Sequence, residues 1–169
     1  MAKHTEIYVI LHNVRSVYNV GSIFRTADAA GVAKIFLTGY TPTPIDRFGR
    51  ARRDFAKVSL GAEQSVAWEY QKSASALIRE LKSEGVFCVC VEQDKQSTDY
   101  RKITSRKHTA FLFGNEVQGV PPALRKVCNV IAEIPMRGSM VRHAHHPRQT
   151  RTGKESLNVS VAAGIMLFR

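Results

Sequence analysis

The chain has 169 residues, 44% of them hydrophobic, and 25 Lys and Arg against 14 Asp and Glu give it a formal charge of +11. That length suits one domain with a real core, no apolar run is long enough to cross a bilayer, and the start of the sequence has no signal-peptide pattern, so a cytoplasmic protein is expected. The basic excess points to a polyanionic partner, most often nucleic acid. The three cysteines, Cys88, Cys90 and Cys128, have no C-x-x-C spacing and read as small core residues of a reducing compartment, supporting neither disulfides nor zinc.

Strands and helices alternate along the chain. Glu6–Leu11 reads as a first strand, and Asn19 as the cap of a helix from Val20 to about Ala30, with Val20, Ile23, Phe24 and Ala27 on one face and Gly31 as its stop. Lys34–Thr38 reads as a second strand. A basic connection from Gly39 to Arg53 follows, holding Pro42, Pro44, Gly49 and the arginines Arg47, Arg50, Arg52 and Arg53. It has too little apolar surface for core, and long loops on a rigid scaffold often bind ligands.

A short helix is expected over Ala51–Leu60 and a minor strand over Val66–Tyr70. Ser73 caps an amphipathic helix with Ala74, Leu77, Ile78 and Leu81 on its face and Gly85 as its stop. Val86–Val91 and Ala110–Phe113 are near-continuous apolar runs, as in strands buried on both sides of a parallel sheet. Pro121 and Pro122 open a short helix over Ala123–Val127, and Val130–Ile134 is read as the last strand. The chain closes on an apolar helix with Leu157, Val161, Gly164, Ile165 and Phe168 at helical spacing and Ser156 as a candidate cap. Repeated strand–helix units imply an α/β fold with a mostly parallel sheet and helices on both faces, whose ligand crevice lies at the carboxyl ends of the strands.

Chemistry collects at those ends. Gly114-Asn115-Glu116-Val117-Gln118-Gly119 follows one buried strand and Pro135-Met136-Arg137-Gly138 another. Neither a dinucleotide fingerprint nor a phosphate loop is present, and His143, His145 and His146 lie in a basic polar stretch that reads as loop rather than metal site.

Taken in order, Asn19-x-Gly-x-Ile-x-Arg25-Thr, Phe-Gly114-Asn-Glu116-x-x-Gly119, Ile134-Pro-Met and Ser156-Leu-Asn158-Val-Ser160 resemble the SpoU (TrmH-like) RNA methyltransferases of the SPOUT superfamily, from about Ile7 to Phe168. The resemblance implies a single domain whose C-terminal third is threaded into a deep trefoil knot. It also implies a homodimer, S-adenosylmethionine as methyl donor, and a 2′-O-methylated ribose in tRNA or rRNA as product. Position by position, it places the cofactor among Val91, Gly114, Ile134 and Met136, closed by Ser156 and Leu157. It places Arg25, Glu116, Asn158 and Ser160 near the transferred methyl, and Asn19 near the RNA-binding face. Because a guanidinium is effectively always protonated, Arg25 is read as a phosphate anchor that orients the hydroxyl. With no added RNA-binding domain in view, Arg47, Arg50, Arg52 and Arg53 are the candidate RNA contacts.

The sequence departs from the family pattern between Met140 and Gly153, a basic, Pro-containing stretch inserted within the cofactor loop. It is expected to be an extruded loop that lowers or alters cofactor affinity. Two alternatives follow: a catalytically silent RNA-binding dimer whose pocket the insertion has spoiled, or a related enzyme that methylates a base. The set Asn19, Arg25, Asn115, Glu116 and Asn158 resembles the ribose-modifying branch of the superfamily, and that resemblance favours ribose.

Overall fold

The computed structural model describes residues 5–104, 106–136 and 156–169. In chain order the strands are β1 (Glu6–His12), β2 (Lys34–Thr38), β3 (Trp68–Gln71), β4 (Phe87–Val91), β5 (Thr98–Asp99), β6 (His108–Phe113) and β7 (Val130–Glu133). The helices are α1 (Val17–Ala29), α2 (Arg53–Ser59), α3 (Ala62–Ser65), α4 (Ala74–Ser83), α5 (Pro122–Val127) and α6 (Val159–Leu167). The seven strands among the described residues join one sheet in the order β3-β2-β1-β6-β4-β7-β5, every pairing parallel.

The apolar runs explain the layering. Successive side chains of a strand point to opposite faces, so Val9, Leu11, Ile35, Leu37, Phe111 and Phe113 meet α1, α2, α3 and α6 in one core. Ile10, Phe36, Ala110, Leu112, Cys88 and Cys90 meet α4 and α5 in the other. A T-shaped pair, Phe24 of α1 on Phe55 of α2 with ring centroids 5.2 Å apart, anchors the first layer. Truncating either ring would cost about 3–5 kcal/mol. Burial pushes the Cys88 thiol up to about 12, as suits an inert core residue.

Several boundaries differ from the sequence reading. Helix α1 starts at Val17, because Ser16 rather than Asn19 is its cap: Ser16 Oγ accepts from the Asn19 amide. Asn19 thereby keeps its side chain for other work. Helix α2 starts at Arg53, since Ala51 is drawn into an antiparallel bridge with Ile45. Val66 ends α3, donating its amide to Ala62 O, and the strand begins only at Trp68. The two-residue β5, which has no counterpart in the sequence reading, lies at the sheet edge outside β7.

Helix α6 is capped by Asn158, not Ser156. Its buried residues are Ala163, Met166 and Leu167, whereas Val161 and Phe168, assigned to the buried stripe, are 50% and 63% exposed. A helix apolar on nearly every side has no periodicity to choose its inner face. Packing against α1 decides it: Gly164 lies beside Thr26, its added-Cβ position at an ordinary contact distance of 3.9 Å from Thr26 Cγ2. The knot implied by the resemblance involves residues 137–155, which lie outside the described residues, as does the 140–153 insertion.

Candidate active site

The carboxyl ends of β4, β6 and β7, together with the approach to α6, enclose a cavity of about 390 Å³. Val91, Gly114, Ile134, Met136, Ser156 and Leu157, the six residues expected to hold a cofactor, all line it. Glu116 and Asn158 line it as well, and Glu92, Gln93 and Glu133, which the sequence reading passed over, complete much of its polar rim. These three stand at or just beyond strand ends, so their position after an apolar run was the available signal.

The loop after β6 is a closed turn. Asn115 and Gly119 pair through Asn115 N to Gly119 O (3.2 Å) and Gly119 N to Asn115 O (2.9 Å). Asn115 Oδ1 accepts from the amides of Val117 and Gln118, both at 2.8 Å, and its Nδ2 donates to Asn13 O and Tyr40 Oη, both at 2.9 Å. A Cβ on Gly114 would stand 2.5 Å from the Gly119 carbonyl carbon, so only glycine allows the two backbone segments to touch. Gly119 has φ +69°, and a Cβ there would strike Glu92 Oε2. That carboxylate accepts the Val120 amide at 2.7 Å. Arg125 braces the same turn, donating to Val120 O (2.7 Å) and Asp94 Oδ2 (2.6 Å).

Glu116 is the hub of the cavity mouth. Its Oε2 accepts from the Arg15 amide at 3.0 Å, and its Oε1 from the Ser16 amide at 3.1 Å and Asn19 Nδ2 at 2.9 Å. It therefore caps the start of α1 from another element, where the helix dipole favours a negative charge. Burial raises its carboxyl pKa, but these donors outweigh burial and hold it below the usual carboxylate range. Asn19 Oδ1 in turn accepts from Asn158 Nδ2 at 3.1 Å, and Asn158 Oδ1 accepts from the Ser160 amide at 2.9 Å and Ser160 Oγ at 2.6 Å. One chain of hydrogen bonds thus joins Glu116, Asn19, Asn158 and Ser160, spanning 97 positions from Asn19 to Glu116 and 139 from Asn19 to Asn158.

The SpoU rRNA methylase family model matches residues 6–142 of this chain. The chain belongs to the SpoU family. It is 30% identical over 162 residues to the 23S rRNA (guanosine-2′-O-)-methyltransferase RlmB of Bordetella pertussis, covering 96% of this chain and 58% of that one. An AdoMet-bound rRNA methyltransferase from Sinorhizobium meliloti superposes with a TM-score of 0.79 at 32% identity, covering 98% of this chain and 56% of that one. An A. aeolicus TrmH/SpoU tRNA modifying enzyme superposes with a TM-score of 0.77 at 27% identity, over 98% and 73%. The chain spans little more than half the length of the first two relatives.

Not every residue suggested by the SpoU motifs reaches the cavity. Arg25 is exposed on α1, six residues past Asn19 and so about 9 Å farther along the helix; it does not line the cavity and has no hydrogen-bond or ion-pair partner among the described residues. Ser160 stands beside the lining residues Asn158, Val159 and Ala162 without lining the cavity itself. Of the basic loop, Arg50 pairs with Asp46 at 2.8 Å and Arg52 with Asp54 at 2.6 Å. Arg47 and Arg53 have no ion-pair partner among the described residues. Among those residues no group of three or more His, Cys, Asp or Glu could hold a metal ion, and no helix is long and apolar enough to cross a membrane. His143, His145 and His146 lie outside them.

Proposed function

We propose that this chain is an S-adenosylmethionine-dependent RNA methyltransferase that modifies a ribose 2′-hydroxyl and works as a homodimer. One observation carries the reading: the cavity lined by all six expected cofactor residues opens beside the Glu116–Asn19–Asn158–Ser160 chain. The cofactor fits the residues present. Its volume of about 390 Å³ is that of an ordinary ligand site, roughly 300–1,000 Å³. Val91, Ile134, Met136 and Leu157 supply apolar walls for an adenine. Glu92, Glu116 and Glu133 give the rim a negative field suited to a cationic ligand. Glu133 has no hydrogen-bond or ion-pair partner among the described residues and is free to accept from ligand hydroxyl or amine donors.

The bound cofactor supplies a methyl group open to in-line displacement by an oxygen nucleophile. Positioning then contributes much of the acceleration. Ser160 Oγ donates its proton to Asn158 Oδ1, so it offers the ribose hydroxyl an acceptor lone pair that orients it, and the proton the hydroxyl loses on methylation passes to solvent water. Asn158 holds that geometry and is itself held by Asn19. Glu116, with three donors already on its oxygens, is a positioning residue that locks α1 to the Gly114–Gly119 turn. Arg25 anchors the phosphate next to the target ribose. The dimer gives Arg25 a route to a cavity that its own chain does not: α1 and α6 pack together and expose Tyr18 (74%), Val161 and Phe168. In this dimer a second copy covers these exposed side chains, and its Arg25 serves the facing cavity. The guanosine-2′-O activity in the name of the Bordetella relative favours ribose over base.

Calorimetric titration with S-adenosylmethionine, followed by nucleoside mass spectrometry of tRNA and rRNA incubated with the protein, tests the reading. Saturable heat and a new 2′-O-methylnucleoside are expected; Arg25→Ala is expected to retain the heat and lose the product. No saturable heat would leave the silent RNA-binding dimer, and a methylated base would move the chemistry off the ribose.

A further inference from the structure

The basic loop holds a feature that phosphate binding does not explain. Ile45 and Ala51 pair as a small antiparallel bridge, closing a turn with Phe48 at its tip. Asp46 stiffens that turn: its Oδ1 accepts the amides of Phe48 (2.8 Å) and Arg50 (3.0 Å), and its Oδ2 accepts Arg50 Nε (2.8 Å). Phe48 nevertheless buries little, standing 66% exposed with the guanidinium carbons of Arg47 and Arg50 at 4.7 and 5.1 Å from its ring centroid. A single exposed aromatic needs no explanation. A rigidly presented one, flanked by two cations and bordering a hollow lined by Tyr40, Trp68 and Tyr70, does.

We propose that this hollow is a nucleobase subsite, in which an unpaired RNA base flanking the target nucleotide stacks on Phe48 while Arg47 takes the adjoining phosphate. The inference rests on the RNA reading above and adds a base-contacting site to it. Every base has a π-face, so stacking on an aromatic ring is tolerant of sequence. Arg50 is tethered to Asp46 and backs the ring, whereas Arg47 touches the ring with no ion-pair partner among the described residues and can exchange that contact for a phosphate. The hollow also connects to the active site: Tyr40 in its wall accepts the Asn115 Nδ2 hydrogen bond beside Glu116. An RNA strand with its ribose at the cavity mouth thus has a basic, aromatic surface next to it.

Trp68, the chain's single tryptophan, lines the hollow and reports on it. The test titrates the full protein with an oligoadenylate of about ten nucleotides and with an abasic ribose-phosphate oligomer of equal length, following Trp68 fluorescence and binding anisotropy. The native protein is expected to bind the oligoadenylate more tightly and to show Trp68 quenching with it alone. Phe48→Ala is expected to weaken oligoadenylate binding about tenfold and erase the difference between the oligomers, with Phe48→Tyr restoring it. Arg47→Ala should weaken both alike. Native binding that does not distinguish the oligomers, or a Phe48→Ala variant that binds oligoadenylate as the native protein does, overturns the subsite alone. A native protein that binds neither oligomer overturns the RNA reading and the subsite together.

Discussion

Replacing Glu116 with Gln isolates what its charge does, because the side chains match in shape. The carboxylate presents two acceptors to three donors, Arg15 N, Ser16 N and Asn19 Nδ2. A Gln must turn its NH2 toward one of the two oxygen positions, and either orientation sets donor against donor. The less costly orientation keeps the carbonyl on Ser16 and Asn19 and loses Arg15. Hydrogen bonds to a charged acceptor contribute about 1.5–3 kcal/mol, and a negative charge at a helix start about 0.3–1 kcal/mol more. Glu116 is only partly buried, so the low end applies and the variant should lose about 2 kcal/mol. For a chain of this size that lowers Tm by about 4–8 °C at pH 7. The pH dependence follows from the lowered pKa. A depressed carboxyl stabilises the fold above its unfolded value of about 4.3, and that stability is lost as pH falls through the lower folded value. Thermal unfolding by circular dichroism should therefore show a Tm gap that is constant from pH 7 to about 5 and narrows at more acidic pH. An unchanged Tm at pH 7, or a gap that persists undiminished into acid, would refute the assignment of Glu116 as a charged clamp on α1.

Gly114→Ala should drive a methyl into the Gly119 backbone, lowering Tm by several degrees and S-adenosylmethionine affinity by at least tenfold in calorimetry. Equal mixing of Arg25→Ala with Asn158→Ala, each inactive alone, should restore about one quarter of native methylation if Arg25 serves the facing cavity. Half the dimers are then mixed, and each mixed dimer has one intact site. No recovery after confirmed subunit exchange would place Arg25 and Asn158 in the same chain's site.

The layered core was legible because its signal is local: β2 is where five apolar-rich residues said it would be, and α4 is bounded by Ser73 and the residue before Gly85. Short elements were not. Thr98–Asp99 carries no apolar pattern, so β5 is set by pairing with β7 alone. Cap assignment failed at both ends of the site for one reason: Ser16 and Asn19, like Ser156 and Asn158, are all good caps, and propensity does not decide among them. Tertiary contacts do. Asn19 is held by Glu116, ninety-seven residues away, and Arg125 meets Asp94 across thirty-one. The family motifs located the cavity wall; they could not show that Glu92 supports Gly119, or that Arg25 stands clear of the pocket.

The carboxylates around the cavity divide into frame and contact, and the division follows from what their oxygens already hold. Glu116 holds two backbone amides at the start of α1, and Glu92 holds the Val120 amide while lying 3.9 Å from Arg125. Each joins the loop following one strand to another element. Groups engaged in this way cannot swing to follow a ligand, and they fix the rim before anything binds, which is how a site avoids reorganisation at the moment of reaction. Glu133 is the exception, since it ends β7 with its carboxylate uncommitted among the described residues. A rim of two fixed negative charges and one adjustable one suits a cationic ligand whose charged centres must be held in one place while its neutral hydroxyls are accommodated. The same frame carries Asn115, whose amide hydrogen-bonds Tyr40 and thereby joins the cavity to the Phe48 hollow. The cavity and the proposed base site therefore share one rigid turn, and a disturbance of Gly114 should be felt at both.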